Sequence, residues 1–142
     1  MSLTVNNPKK VLFVCVENAN RSQMAEAFAR MLGGDGVVAY SAGSAPSGVV
    51  NPKAIEYMAE LGYDLSVHKS QALDELGDIE FDFVATMGCG DKCPNIKTQH
   101  KVDWPLPDPK HLDGDEYRQI RSLIADHVLD MLRSLNVLAA NN

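Results

Sequence analysis

Val11-Leu12-Phe13-Val14-Cys15-Val16-Glu17-Asn18-Ala19-Asn20-Arg21-Ser22 is the stretch whose reading decides the fold. The run up to Cys15 is apolar almost without interruption, as in a central parallel strand covered on both faces. An amphipathic pattern begins at Gln23, where Ala25, Phe28, Ala29 and Leu32 share one helical stripe that Gly33-Gly34 ends. The residues between form a loop from a strand end to a helix start. Such a loop can turn successive backbone N–H groups onto one oxyanion, and the positive end of the helix dipole points the same way. A thiol held there beside Arg21 is expected to ionise readily, and its thiolate would face a bound tetrahedral anion as a nucleophile. The competing reading is an inert, buried strand-end cysteine.

Outward from this stretch the same alternation repeats. Strands are expected at residues 10–15, 37–40, 81–87 and 102–106. Ser41-Ala42-Gly43 reads as the turn after the second strand or as part of the loop's base. Asn51-Pro52 is a helix start, with a capping side chain and proline in the first turn. Ile55, Met58 and Ala59 are its expected buried face, and Gly62 its stop. Ser70 is a candidate cap for a short helix through Leu76. The segment from Pro105 to Lys110 reads as a stiff extended loop. Asp115 is a candidate cap for a last helix whose stripe is Ile120, Leu123, Ile124, Val128, Met131 and Leu135. The pattern predicts an α/β fold: a single three-layer domain with a four-stranded parallel sheet and helices on both faces. Residues 1–9 form a leader, 10–138 the domain and 139–142 a tail.

Composition narrows the function. A chain of 142 residues with 45% hydrophobic residues supports one domain with a real core. A net charge of −6 argues against nucleic-acid and anionic-membrane surfaces, so Arg21 must act locally. No apolar run reaches the length of a membrane span. The first ten residues lack the apolar core of a signal peptide, which points to the cytoplasm. Three cysteines in a reducing compartment read as catalytic or redox-active.

The other two cysteines lie together in Gly88-Cys89-Gly90-Asp91-Lys92-Cys93-Pro94. A redox pair, a zinc site and a plain loop are the open readings. Zinc would need four ligands, and only His100 and His111 follow, without a second cysteine pair; no metal is expected. Asp108 stands between Pro107 and Pro109, which restrict its direction. Cys15, the Cys89 segment and Asp108 all follow strand ends, and sites in open parallel sheets lie beyond those carboxyl ends. His68 and His100 read as surface residues.

Cys-x5-Arg-Ser on a first strand, with Asn18 in the loop, resembles the signature of the low-molecular-weight protein tyrosine phosphatases. That branch includes phosphotyrosine phosphatases and thiol-coupled arsenate reductases. Met87-Gly88-Cys89-Gly90 and Trp104-Pro105-Leu106-Pro107-Asp108-Pro109 extend the likeness. The resemblance implies an oxyanion, arsenate or phosphate, held by the backbone of Val16, Glu17, Asn18, Ala19, Asn20 and Arg21. It makes Cys15 the nucleophile, Arg21 the clamp, Ser22 the hydrogen-bond partner of the sulfur and Asp108 the general acid. A later cysteine pair is a reductase feature, and implies a Cys15/Cys89/Cys93 disulfide relay. That relay needs no bound cofactor and is closed by an external thiol reductant, thioredoxin-like or of low molecular weight. The alternative is phosphate monoester hydrolysis through a phosphocysteine. Two departures stand out. Glu17 replaces the family's usual loop glycine, so its carboxylate has to point away from the anion. Asn20 stands where many relatives carry a second loop cysteine.

Overall fold

The computed structural model describes residues 8–88, 96 and 98–137. The central strand is β1 (Lys9–Cys15), flanked by β2 (Val37–Gly43) on one side and β3 (Phe83–Thr86) on the other. β4 (Lys101–Asp103) adds to β3, giving the order β2-β1-β3-β4 with every neighbour parallel. The expected four-stranded parallel sheet is therefore present.

Alternation along β1 divides the core. Val11, Phe13 and Cys15 face the layer formed by α1 (Arg21–Gly33), α2 (Pro52–Ala59) and α3 (Gly114–Ser134). Leu12 and Val14 face the opposite side, where Leu73 and Leu76 of a short 3-10 helix pack with Ile79 and Ile96. Both faces of β1 are thus covered, which is why its sequence is apolar at every position from Val11. No described helix is long and apolar enough to cross a membrane.

Several boundaries differ from expectation for physical reasons. β2 runs on through Ser41, Ala42 and Gly43, which pair in register with Phe13, Val14 and Cys15. Gly43 has to be glycine here: a Cβ would sit 2.5 Å from the Val16 carbonyl oxygen and 3.1 Å from Asn18 Cβ. β4 stops at Asp103, before Pro105, which has no N–H to continue a ladder. In α2 the Asn51 side chain accepts from Lys53 N at 2.8 Å, as the sequence suggests. Its buried face, however, is Ala54, Tyr57 and Met58, with Ala59 exposed. Tyr57 stacks on Tyr117 of α3 at 4.4 Å between ring centroids. The α3 stripe includes Tyr117 and Leu132, while Leu123 is 44% exposed. Asp113, not Asp115, holds the N-cap position of α3, and Asp115 pairs with Arg118 at 3.0 Å.

Candidate active site

Every backbone carbonyl from Cys15 to Asn20 is bound from outside the loop. Those of Cys15, Val16 and Glu17 accept from Ser44, Ala45 and Ser47 N–H at 3.3, 2.8 and 3.0 Å. That of Asn18 accepts from Gln23 Nε2 at 2.9 Å, that of Ala19 from Asn51 N at 3.0 Å and that of Asn20 from Met24 N at 3.0 Å. Holding the carbonyls outward turns the N–H groups toward the concavity, the arrangement that binds anions. The cavity there has a volume of about 220 Å³, lined by Cys15, Val16, Glu17, Ala19, Asn20, Arg21 and Asp108. Asn18 is not among the lining residues; with φ at 52°, it is buried behind the loop.

From behind, Asn18 holds the Ser22 hydroxyl beside the sulfur. Its Oδ1 accepts from Gln71 N at 2.8 Å and Gln23 Nε2 at 3.0 Å. Its Nδ2 therefore donates, to Ser22 Oγ at 2.8 Å. The Ser22 hydroxyl lies 2.9 Å from Cys15 Sγ, and it is the donor of that bond when the sulfur is a thiolate. Cys15 itself is buried at the cavity floor. α1 begins at Arg21, two residues before the amphipathic pattern, so Arg21 and Ser22 belong to its first turn.

Arg21 faces the cavity under restraint from the opposite wall. Its Nη1 donates to the Leu106 carbonyl at 2.9 Å, and its Nη2 lies 3.8 Å from Asp108 Oδ2. Asp108 opens a 3-10 turn, Pro109–His111, where a purely extended loop was expected. Its Oδ1 accepts from Lys110 N at 3.0 Å, leaving Oδ2 toward Arg21; the side chain is 48% exposed. Gly88 closes the third side: a Cβ there would lie 3.0 Å from Arg21 Nη1. Cys89 follows in sequence, but Cys89 and Cys93 lie outside the described residues. The Glu17 carboxylate pairs with Lys110 Nζ at 3.0 Å instead of standing free against the anion.

The site also uses residues that sequence reasoning missed. Gln23 Nε2 lies within 3.0 Å of three oxygens, Asn18 O, Asn18 Oδ1 and Lys69 O. That makes it the amide nitrogen end, so Oε1 faces His68 Nδ1 at 3.0 Å. His68 Nδ1 therefore carries the proton, and Nε2 accepts from the Tyr63 hydroxyl at 2.6 Å. Far from being a surface residue, His68 has a side chain only 2% exposed. Ser70 does not cap the following turn; its hydroxyl donates to the Glu17 carbonyl at 3.0 Å and accepts from Gly48 N at 3.1 Å. Ser41 Oγ donates to Glu26 Oε1 at 2.6 Å, behind α1 and away from the loop. Tyr117 donates to Asn20 Oδ1 at 2.8 Å, anchoring the loop to α3. Only Gln23, directly after the Arg-Ser pair, left a local signal.

Burial, helped by the Arg30 charge, pulls the His68 pKa down from 6.5 to about 4 and keeps the ring neutral. Glu26, 3.7 Å from Nδ1, does not reverse this, because its carboxyl is occupied by Arg30 and Ser41. A histidine with a depressed folded pKa is protonated more readily in the unfolded chain. Its contribution is intact above pH 6.5 and is lost as pH falls toward 4. The unfolding free energy, measured by denaturant titration, is expected to fall between about pH 7 and about pH 5 by an amount on the order of 1 kcal/mol. Burial raises the Glu26 pKa and gives the opposite slope. A His68→Gln variant isolates the histidine, and its stability profile should be flatter over that interval. An unchanged slope in the variant would refute the assignment.

A family model for low molecular weight phosphotyrosine protein phosphatase matches residues 10–140. The glutaredoxin arsenate reductase of Synechocystis sp. is 34% identical over 131 residues, 90% of this chain and 99% of the relative. A solved structure of an arsenate reductase in the phosphate binding state superposes with a TM-score of 0.82 at 34% identity, covering 89% of this chain and 98% of that one. The thioredoxin-dependent arsenate reductase of Corynebacterium glutamicum superposes with a TM-score of 0.75 at 33% identity, covering 93% of this chain and 64% of that one.

Proposed function

Because this chain belongs to the low molecular weight phosphotyrosine protein phosphatase family, we propose that it is an arsenate reductase of that family, working through Cys15, Cys89 and Cys93. The observation that carries the reading is the wall opposite the anion loop. Gly88 abuts Arg21, and Cys89 is the next residue in sequence, which supports a second thiol acting at this centre. Three of the relatives named above are arsenate reductases, and two of those names specify glutaredoxin or thioredoxin.

Arsenate occupies the cavity with its equatorial oxygens on the inward N–H groups of residues 16–21. The Arg21 guanidinium makes a two-pronged contact. Its neighbour Asp108 balances that charge and stands on the solvent side, where the leaving oxygen departs. The Ser22 hydroxyl solvates the negative charge of the Cys15 sulfur. That sulfur attacks arsenic opposite the leaving oxygen, and Asp108 supplies the proton that lets the oxygen depart as water. The Cys89 thiolate then attacks Cys15 Sγ. The S–As bonding pair passes to arsenic, which leaves as arsenite, and a Cys15–Cys89 disulfide forms. Cys93 attacks Cys89, returning Cys15 as thiolate and moving the disulfide to Cys89–Cys93. An external dithiol of the thioredoxin or glutaredoxin class reduces that pair. The electrons balance: two cysteine thiols become one disulfide and give up two electrons for each arsenate reduced.

Hydrolysis of phosphate monoesters is the alternative chemistry of the family. The same loop serves it, and a weak phosphatase side activity is expected. Among the described residues, those lining the cavity include no aromatic side chain to grip a phenol ring, which favours the inorganic substrate. The test is mass mapping of disulfides after one arsenate turnover without reductant. A Cys89–Cys93 linkage is expected, replaced by Cys15–Cys89 in a Cys93→Ser variant. Full retention of reduced thiols while phosphate esters are hydrolysed would overturn the reductase reading.

A further inference from the structure

A residue that departs from the family's usual loop, Glu17, meets Lys110 beside the cavity. Glu17 stands in the loop where the resembling family carries glycine, and Lys110 follows the Asp108-Pro109 pair. Lys110 Nζ lies 3.0 Å from Glu17 Oε2 and 3.4 Å from Oε1, a two-oxygen contact. Glu17 and Asp108 both line the cavity, and Lys110 is tied to Asp108 through its own N–H at 3.0 Å. The pair therefore fastens one wall of the cavity to the other. Both side chains are about 40% exposed, so the bridge lies on the solvent side of the buried sulfur. The Glu17 carboxylate holds the Lys110 pKa above its ordinary value, with Asp108 acting in the same direction.

We propose that the Glu17–Lys110 ion pair is a specificity-determining clasp, which admits a free tetrahedral oxyanion and works against organic monoesters. This rests on the reading of the cavity as an oxyanion site. In-line attack by Cys15 requires the leaving oxygen to point outward, past Asp108. In arsenate or phosphate that oxygen ends there. In a monoester it carries the organic group, which has to pass between Glu17 and Lys110. Opening the clasp separates two charges, and each then needs water or another partner. An exposed pair contributes only modestly, so the discrimination from the clasp is severalfold, added to what the missing aromatic walls already impose. Specificity arises from an element set against the wrong ligand as well as from contacts to the right one.

Equilibrium titration with orthophosphate and with benzylphosphonate tests this without any turnover. The readout is the ratio of the benzylphosphonate to the orthophosphate dissociation constant. In the charge-balanced double variant Glu17→Ala/Lys110→Ala the ratio is expected to fall about two- to fivefold, the reach of an exposed pair. The exchanged variant Glu17→Lys/Lys110→Glu should restore it toward the wild-type value. High salt should lower the ratio in the wild type and leave the double variant unmoved. Orthophosphate binding in each variant certifies an intact loop, so a misfolded protein cannot imitate the result. A ratio unchanged in the double variant overturns the clasp. A failed disulfide mapping with the ratio shifted as stated would instead overturn the reductase reading alone.

Discussion

Cys15→Ser is expected to abolish arsenate turnover, with kcat/KM down by at least roughly 10⁴-fold. Two separate losses combine. A hydroxyl in place of the thiol is a far weaker nucleophile at neutral pH, so the first adduct does not form. Serine also cannot enter a disulfide, so even an adduct formed slowly has no route by which arsenic gains electrons. The change itself is small. The neighbouring Ser22 hydroxyl, 2.9 Å from Sγ, can hydrogen-bond an oxygen at the same place. The loop carbonyls are held by Ser44, Ala45, Ser47, Asn51, Met24 and Gln23, none of which involves the sulfur. Orthophosphate binding should therefore survive while turnover does not. Steady-state kinetics beside a phosphate titration separates the two, and residual turnover above about one part in a hundred would remove Cys15 from the nucleophile's role.

The strand, the anion loop and the helix after it were legible in the sequence because all three are local. Continuous burial on both faces writes itself as an unbroken apolar run, and α1 writes itself as a stripe. Asn51-Pro52 was equally legible, since a cap is a contact between near neighbours. Expectation failed where the partner came from far along the chain. Ser41 to Gly43 looks like a turn in isolation. It is strand because β1 lies alongside, and Gly43 is small because the Val16 carbonyl passes 2.5 Å from where a Cβ would stand. His68 looks like a surface histidine because polar residues surround it in sequence. Its burial depends on Gln23, 45 residues earlier, which offers the one acceptor its ring N–H needs. Glu17 gave a warning that was correct in kind, that its carboxylate had to point away. Nothing nearby in sequence named Lys110, 93 positions on, as the group that holds it.

Arg21→Lys carries the second large effect, because it keeps the charge and removes the geometry. Lysine presents one ammonium point charge in place of a planar fork. In the wild type that fork is aimed by the Leu106 carbonyl at 2.9 Å and flanked by Asp108 Oδ2 at 3.8 Å. An ammonium on a shorter, more mobile stem cannot hold Leu106 and meet two anion oxygens together. As the arsenic centre passes through its five-coordinate state, charge spreads over the equatorial oxygens, where the guanidinium would make its two parallel contacts. Losing a preorganised donor at such a position lowers kcat/KM by roughly 10²–10³-fold. The orthophosphate dissociation constant should rise much less, because the inward N–H groups still hold the ground-state anion. The Leu106 carbonyl also loses its buried donor, so the stability of the fold should fall by about 1 kcal/mol. The split between kcat/KM and phosphate affinity is the informative result. If Arg21→Lys keeps turnover within about threefold of the wild type, positive charge alone suffices, and the two-pronged clamp has no part in the chemistry.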